Sequence, residues 1–312
     1  MSSAQFRTVV GWLGVGALAM FLLTQQPQRG YAGLYSSAVL SDTPVGYYRM
    51  NETTGSVAID TVGVAHGVYR NGAIPAAQPP NGVGPVLQQP GPRSPAFPGF
   101  DADNDAVQFD GAASFSNPDN LNISTLSLND TAYSFEIWAY NTRPQADLLI
   151  TGYMGARGTG TSIDGVGIMG TLASASTATD APPGTLFLTD GVTILSGDSI
   201  VENNQWHHVV YTRSGDSVAL YLNGELELSD TLAPTYGTSD AITAGMRPDQ
   251  HWAFQGMLDE LALYNYALSP EQVLAHYDAA SAAPVPEPSS VALVAVGTAL
   301  LWGVRKKRVC SK

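Results

Sequence analysis

Apolar and polar residues alternate most regularly over residues 205–224, QWHHVVYTRSGDSVALYLNG. In a strand, Trp206, His208, Val210 and Thr212 share one face, and His207, Val209, Tyr211 and Arg213 the other. Ser214-Gly215-Asp216 supplies a turn, and Val218, Leu220 and Leu222 resume the alternation. Asn223-Gly224 suits a tight turn with positive φ at both positions. Glu225 to Leu228 then continues as a third strand, so this stretch predicts an antiparallel meander with one apolar face.

Other segments extend the β pattern. Phe135, Ile137 and Ala139 alternate with Glu136, Trp138 and Tyr140, and Leu148 to Ile150 reads as a neighbouring strand. Two short apolar runs, 185–188 and 192–195, flank Asp190-Gly191, a hairpin signal. Residues 257–264 read as a closing strand. The seven glycines of residues 152–170 predict loops and tight turns, and the eight prolines of 73–99 a surface loop. A helix begins after Ser269, with Pro270 in the first helical position and Gln272 placed to complete a capping box. It is the one helix expected between residues 33 and 280.

Three ordered segments resemble the laminin G-like jelly roll of the concanavalin A-like lectin fold. They are YSFEIWAY at 133–140, the meander at 205–224, and GMLDELALYNYALSPEQVLAHY at 256–277. The resemblance implies an all-β, antiparallel jelly-roll sandwich over residues 33–280 with one short C-terminal helix, and a habit of binding glycans. It also implies structural calcium near the closing strand, with Asp259, Asp60 and Glu52 as the candidate ligands, since calcium takes hard oxygen ligands from several loops.

The ends differ in composition. Arg7 followed by a 15-residue apolar run and Gly30-Tyr31-Ala32 reads as a secretory signal over residues 1–32, with signal peptidase its processing enzyme. A Pro/Ser linker at 281–290 leads into an apolar segment at 291–304 and a basic tail at 305–312. That order, with the tripeptide Pro286-Glu287-Pro288, resembles the PEP-CTERM sorting signal of exported bacterial proteins. Both sorting signals are expected as terminal apolar helices, and the C-terminal one implies transient membrane insertion, recognition by an exosortase, and delivery to the cell surface or extracellular matrix. The basic end stays cytoplasmic.

Charge and chemistry narrow the function. Between residues 33 and 284, 7 Arg stand against 26 Asp plus Glu, a balance of −19, and every lysine lies in the last seven residues. Nucleic acid is excluded as a partner, because phosphate contacts need the opposite sign. The only cysteine is Cys310, so no internal disulfide forms. His207-His208 point to opposite strand faces and cannot share an ion, one reading as buried and the other as exposed. The glycines of GARGTGTS, 155–162, lack the lysine of a phosphate loop, and Asp101, Asp103 and Asp105 lack the Gly and Glu of a calcium loop.

Sandwich glycosidases carry an acid pair across the scissile bond, and neither Glu225-Leu226-Glu227 nor Asp259-Glu260 has that pattern. The expectation is therefore a non-catalytic surface or matrix protein whose partner is a polysaccharide or glycoconjugate. A purely structural matrix protein and a glycosidase are the alternatives. Aromatic residues such as Trp252 or Tyr236 on a sheet face distinguish binding from scaffolding.

Overall fold

The computed structural model describes residues 33–72, 74–75, 84–112, 117–143, 152–159, 162–170, 182–234 and 241–283. The chain enters through a short helix, α1 (Leu34–Ser41), and leaves through α2 (Pro270–Ser281). Between them run β1 (Gly46–Tyr48), β2 (Val57–Ala58), β3 (Gly67–Asn71), β4 (Ile74–Pro75), β5 (Val86–Pro90) and β6 (Asp105–Asp110). Next come β7 (Asp119–Ile123), β8 (Ala132–Asn141), β9 (Gly152–Thr159), β10 (Ser162–Ile168), β11 (Thr185–Thr189) and β12 (Ile194–Ile200). The last five are β13 (Trp206–Ser214), β14 (Ser217–Leu222), β15 (Glu225–Thr231), β16 (Ala241–Ala244) and β17 (Gln255–Tyr264).

Two antiparallel sheets result. The first has the order β15-β14-β13-β8-β17-β6-β5, with β1 paired to β17. The second has the order β12-β11-β10-β9-β16-β7-β3-β2, with β4 on β3. Consecutive strands repeatedly fall in different sheets, as in a jelly-roll sandwich. Phe135, Ile137, Val209 and Tyr211 of the first sheet meet Ile123, Met154, Val166 and Leu186 of the second in the central core.

The meander forms in the expected register, from Val209 opposite Leu222 to Ser214 opposite Ser217. Asn223 and Gly224 both take positive φ, 53° and 84°, as their two-residue turn requires. One expectation fails: from His207 to Arg213 the strand has no exposed face. His208 and Val210 lie against a second apolar cluster formed with α1 and α2, while Val209 and Tyr211 fill the core. His207 and His208 are therefore both buried.

The glycine-rich segment is a second correction. Residues 152–170 are largely sheet: β9 and β10 pair antiparallel, Ser162 opposite Thr159 through Ile168 opposite Gly152. Glycine serves packing here. A Cβ on Gly155 would collide with the Phe135 ring of the facing sheet.

The helix after Ser269 carries the expected box, with the Ser269 side chain accepting from Gln272 N and the Gln272 side chain accepting from Ser269 N. The helix α1 was not legible in the sequence. It has no side-chain N-cap, and it is held from outside, with Tyr35 and Val39 fully buried.

The layer of helices closes over a carboxylate. Glu136 accepts hydrogen bonds from Tyr35 Oη (2.9 Å), Tyr264 Oη (3.0 Å), His208 Nε2 (2.7 Å) and His276 Nδ1 (3.0 Å). His276 Nε2 lies 3.0 Å from Asp42 Oδ2, so this imidazole bridges two carboxylates. Burial alone would push the Glu136 carboxyl up; the His276 charge and the two histidine hydrogen bonds outweigh it and hold the group well below the usual carboxylate range. Burial likewise opposes protonation of His276, and Glu136 and Asp42 reverse that, leaving its pKa raised. Between the sheets, Arg213 of β13 forks onto Asp164 of β10 at 2.6 and 2.7 Å.

Trp138 is fully buried among Tyr35, Phe97, Phe100 and Tyr277, whereas Trp206 is only half-buried. Equilibrium denaturation should show Trp138→Ala losing about 3–5 kcal/mol and Trp206→Ala much less. Equal losses would contradict the two-layer packing on the first sheet.

Candidate functional site

The three carboxylates expected to hold calcium do not converge. Asp60 organises the turn behind β1, accepting from the backbone N–H of Tyr47, Val62 and Ala65. Glu52 accepts from Ile59 N and Tyr69 Oη. Asp259 accepts from Asn104 Nδ2 at 2.7 Å and from Glu260 N at 2.8 Å. Among the described residues, no three His, Cys, Asp or Glu side chains form a group that could hold a metal ion. Each of the three carboxylates is engaged by protein donors of its own.

Asp259 and Glu260 nevertheless form an unusual pair. A register shift in β17, with Glu260 at φ 52°, breaks the alternation that would put neighbours on opposite faces. Both side chains are fully buried. Glu260 accepts from Tyr47 Oη and from Arg49 Nε, and Arg49 also reaches Asp101 at 3.0 Å. Burial pushes the Glu260 carboxyl up to about 7 against the pull of Arg49. Burial, and then the Glu260 charge, raise Asp259 well above its usual range. With no exposed surface, neither acid reaches a bound sugar, so the pair reads as structural.

A third apolar cluster, itself buried, lies on the outer face of the second sheet. Tyr153, Ala156, Ile163, Met169 and Phe187 form an apolar patch there, distinct from the core. The turn between β16 and β17, MRPDQHW, folds across it. Arg247 N donates to His251 O and Gln250 N to Arg247 O, which closes the turn. Gln250 and Trp252 take φ of 65° and 60°. A bulky residue in this left-handed region is uncommon and persists only where its surroundings impose it. Here Tyr153 N donates to Trp252 O, and Tyr153 bridges to Ala253.

The half-buried Trp252 ring lies 6.2 Å from Tyr153 and 5.1 Å from the Arg247 guanidinium carbon. Arg247 forks onto Asp249 at 2.7 and 2.6 Å, and His251 Nδ1 sits 3.0 Å from the same carboxylate. Burial would raise the Asp249 carboxyl, but Arg247 and His251 outweigh it and hold the carboxyl low. Arg247 and Asp249 thus offset each other's charge beside an aromatic plate. Such a plate with fixed polar groups can take a sugar ring, its C–H face on the indole and its hydroxyls on the rim.

Trp252 was singled out from the sequence, whereas Tyr236 lies outside the described residues. Arg247, Asp249, His251 and Tyr153 were missed. The Pro-Asp step ahead of the closing strand was their one local signal.

Residues 115–274, just over half of the chain, match a laminin G-type model described as the concanavalin A-like lectin/glucanases superfamily. The chain belongs to this superfamily, whose description spans lectins and glucanases alike. Among solved structures, it is similar to domain 4 of AbnA, a GH43 extracellular arabinanase from Geobacillus stearothermophilus, in complex with arabinotriose. Identity is 17%, covering 76% of this chain and 98% of that one, with a TM-score of 0.50. It is also similar to the binding domain of botulinum neurotoxin serotype D/C, at 12% identity over 77% of this chain and 52% of that one, TM-score 0.50. These likenesses show the fold. No curated protein matches the sequence.

The buried acids set a pH dependence. Glu136 is held low, so its contribution is present above about 4.3 and is lost as pH falls below that. His276 is held high, so its contribution is complete below about 6.5 and fades as pH rises. Glu260 and Asp259 are raised, so ionising them costs stability as pH climbs from about 4.3 towards the Glu260 value of about 7. Together these groups lower the melting temperature from about pH 5.5 to about pH 8, opposed up to about 6.5 by His207, whose pKa burial lowers, and Glu260→Gln should flatten part of that fall. A melting temperature that rises over this range would contradict the assignment.

Proposed function

We propose that this chain is an exported, non-catalytic carbohydrate-binding protein of a bacterial cell surface or its exopolysaccharide matrix, with the Trp252 turn as its site. The carrying observation is Trp252 itself. A left-handed backbone holds a half-open indole over Tyr153 and beside the Arg247–Asp249 fork. Supporting it, domain 4 of AbnA was solved in complex with arabinotriose.

Export rests on the sequence of the two ends. Residues 1–32 act as a signal peptide for signal peptidase, and Pro286-Glu287-Pro288 with the apolar segment and basic tail as an exosortase substrate. Both ends lie outside the described residues, and among those described no helix is long and apolar enough to cross a membrane. Intact mass of the protein from its native host should place the mature chain from near Gly33 to near Pro288. Peptides from residues 291–312 on the mature protein would contradict C-terminal processing.

Binding is tested on an array of neutral and acidic oligosaccharides that includes arabinotriose. The protein should bind neutral members, and Trp252→Ala should weaken that binding about tenfold while the protein stays folded with only a small loss in melting temperature. An array without any bound glycan would favour a scaffold, and release of reducing sugar from a bound polysaccharide would favour a glycosidase.

A further inference from the structure

The opposite face of the sandwich carries a second row of the same chemistry. Cross-strand pairing lines up Trp206 with Tyr140, Tyr140 with Met257, Met257 with Gln108 and Gln108 with Val86. The flanking residues Ala139, Leu258, Val107 and Leu87 belong to the central core. The row therefore stands on the outer face of the first sheet. Its neighbour on β8 and β13, Trp138 and His208, lies fully buried beneath the helices. This row stays open: Trp206, Tyr140 and Met257 are half-buried, Gln108 is exposed, and Val86 is 45% exposed.

Geometry and charge select the occupant. Five neighbouring strands spaced about 4.8 Å apart give a track of about 19 Å, long enough for a short run of sugar rings. The Trp206 and Tyr140 rings stand 5.4 Å apart, tilted by 57°, at one end. Gln108 offers an amide for hydroxyl groups further along. None of the five side chains is charged, although the stretch from 33 to 284 carries a balance of −19. That balance repels nucleic acid, acidic polysaccharide and anionic lipid. An uncharged track in an acidic protein suits a neutral chain that offers apolar ring faces and hydroxyl edges.

We propose that this row is a second carbohydrate site for a neutral linear polysaccharide. Trp252 stands on the outer face of one sheet and Trp206 on that of the other. One protein then holds two polysaccharide chains on opposite sides and cross-links them, which a single site cannot do.

The test uses the full chain in two assays. In affinity electrophoresis, gels containing debranched arabinan or lichenan should retard the protein, and polygalacturonate should not. Trp206→Ala should weaken retardation about tenfold, and Gln108→Ala, at an exposed position that leaves the core intact, should weaken it less. In the second assay, arabinan-coated beads should clump with the wild type. They should not clump with Trp206→Ala or with Trp252→Ala, although each variant still binds. If Trp206→Ala and Gln108→Ala clump beads as the wild type does, the second site does not exist, whether or not Trp252→Ala loses binding. If Trp252→Ala behaves as the wild type while Trp206→Ala loses binding, this site stands and the Trp252 turn falls. Sedimentation showing a wild-type dimer that Trp206→Ala splits would overturn the inference and assign the row to self-association.

Discussion

Glu136 places a carboxylate beneath two helices, on a sheet whose other face already fills the core. A buried charge is tolerated only when paired and fully hydrogen-bonded. Four donors meet that demand, and they come from α1, β13, β17 and α2. The same interactions that satisfy Glu136 therefore fix where both helices sit. His276 carries the tie outward to Asp42, just past the end of α1. The first sheet gains a half covered by the helices, with Trp206 packed at its border, and beyond it a row that stays partly exposed. The uncovered row is a consequence of where the helices end.

The second sheet is organised differently. Its inner face receives Arg213 on Asp164, a bidentate pair crossing the core from the other sheet. Its outer face has no described helix over it, and the fully buried cluster around Phe187 has the half-buried Trp252 of the turn packed against it. Holding that turn against Tyr153 imposes positive φ on two non-glycine residues, a strain of the kind that clusters at binding sites.

The fold was legible wherever a local rule coincided with a packing need. The Asn223-Gly224 turn, the Ser269 capping box and the two-faced pattern of β8 all follow from residue types within a few positions. Long-range packing hid the rest. Gly155 reads as a loop residue unless the Phe135 ring from the other sheet is known to lie against it. The helix α1 reads as coil because its stability comes from Tyr35 and Val39 packing far from their own sequence. Adjacent strand residues alternate faces, yet a bulge at Glu260 buries both Asp259 and Glu260. At the candidate site, Trp252 was visible as an aromatic, but its partner Tyr153 lies a hundred residues away, in a segment that reads as turns.

The proposed glycan binding depends on the Trp252 indole acting as a sugar-stacking plate. An amide-type NMR spectrum of the indole N–H groups, recorded while arabinotriose is added to the protein, tests this directly. The Trp252 signal should shift saturably, with the fully buried Trp138 signal unchanged. Binding of the trisaccharide with the Trp252 signal stationary would contradict it.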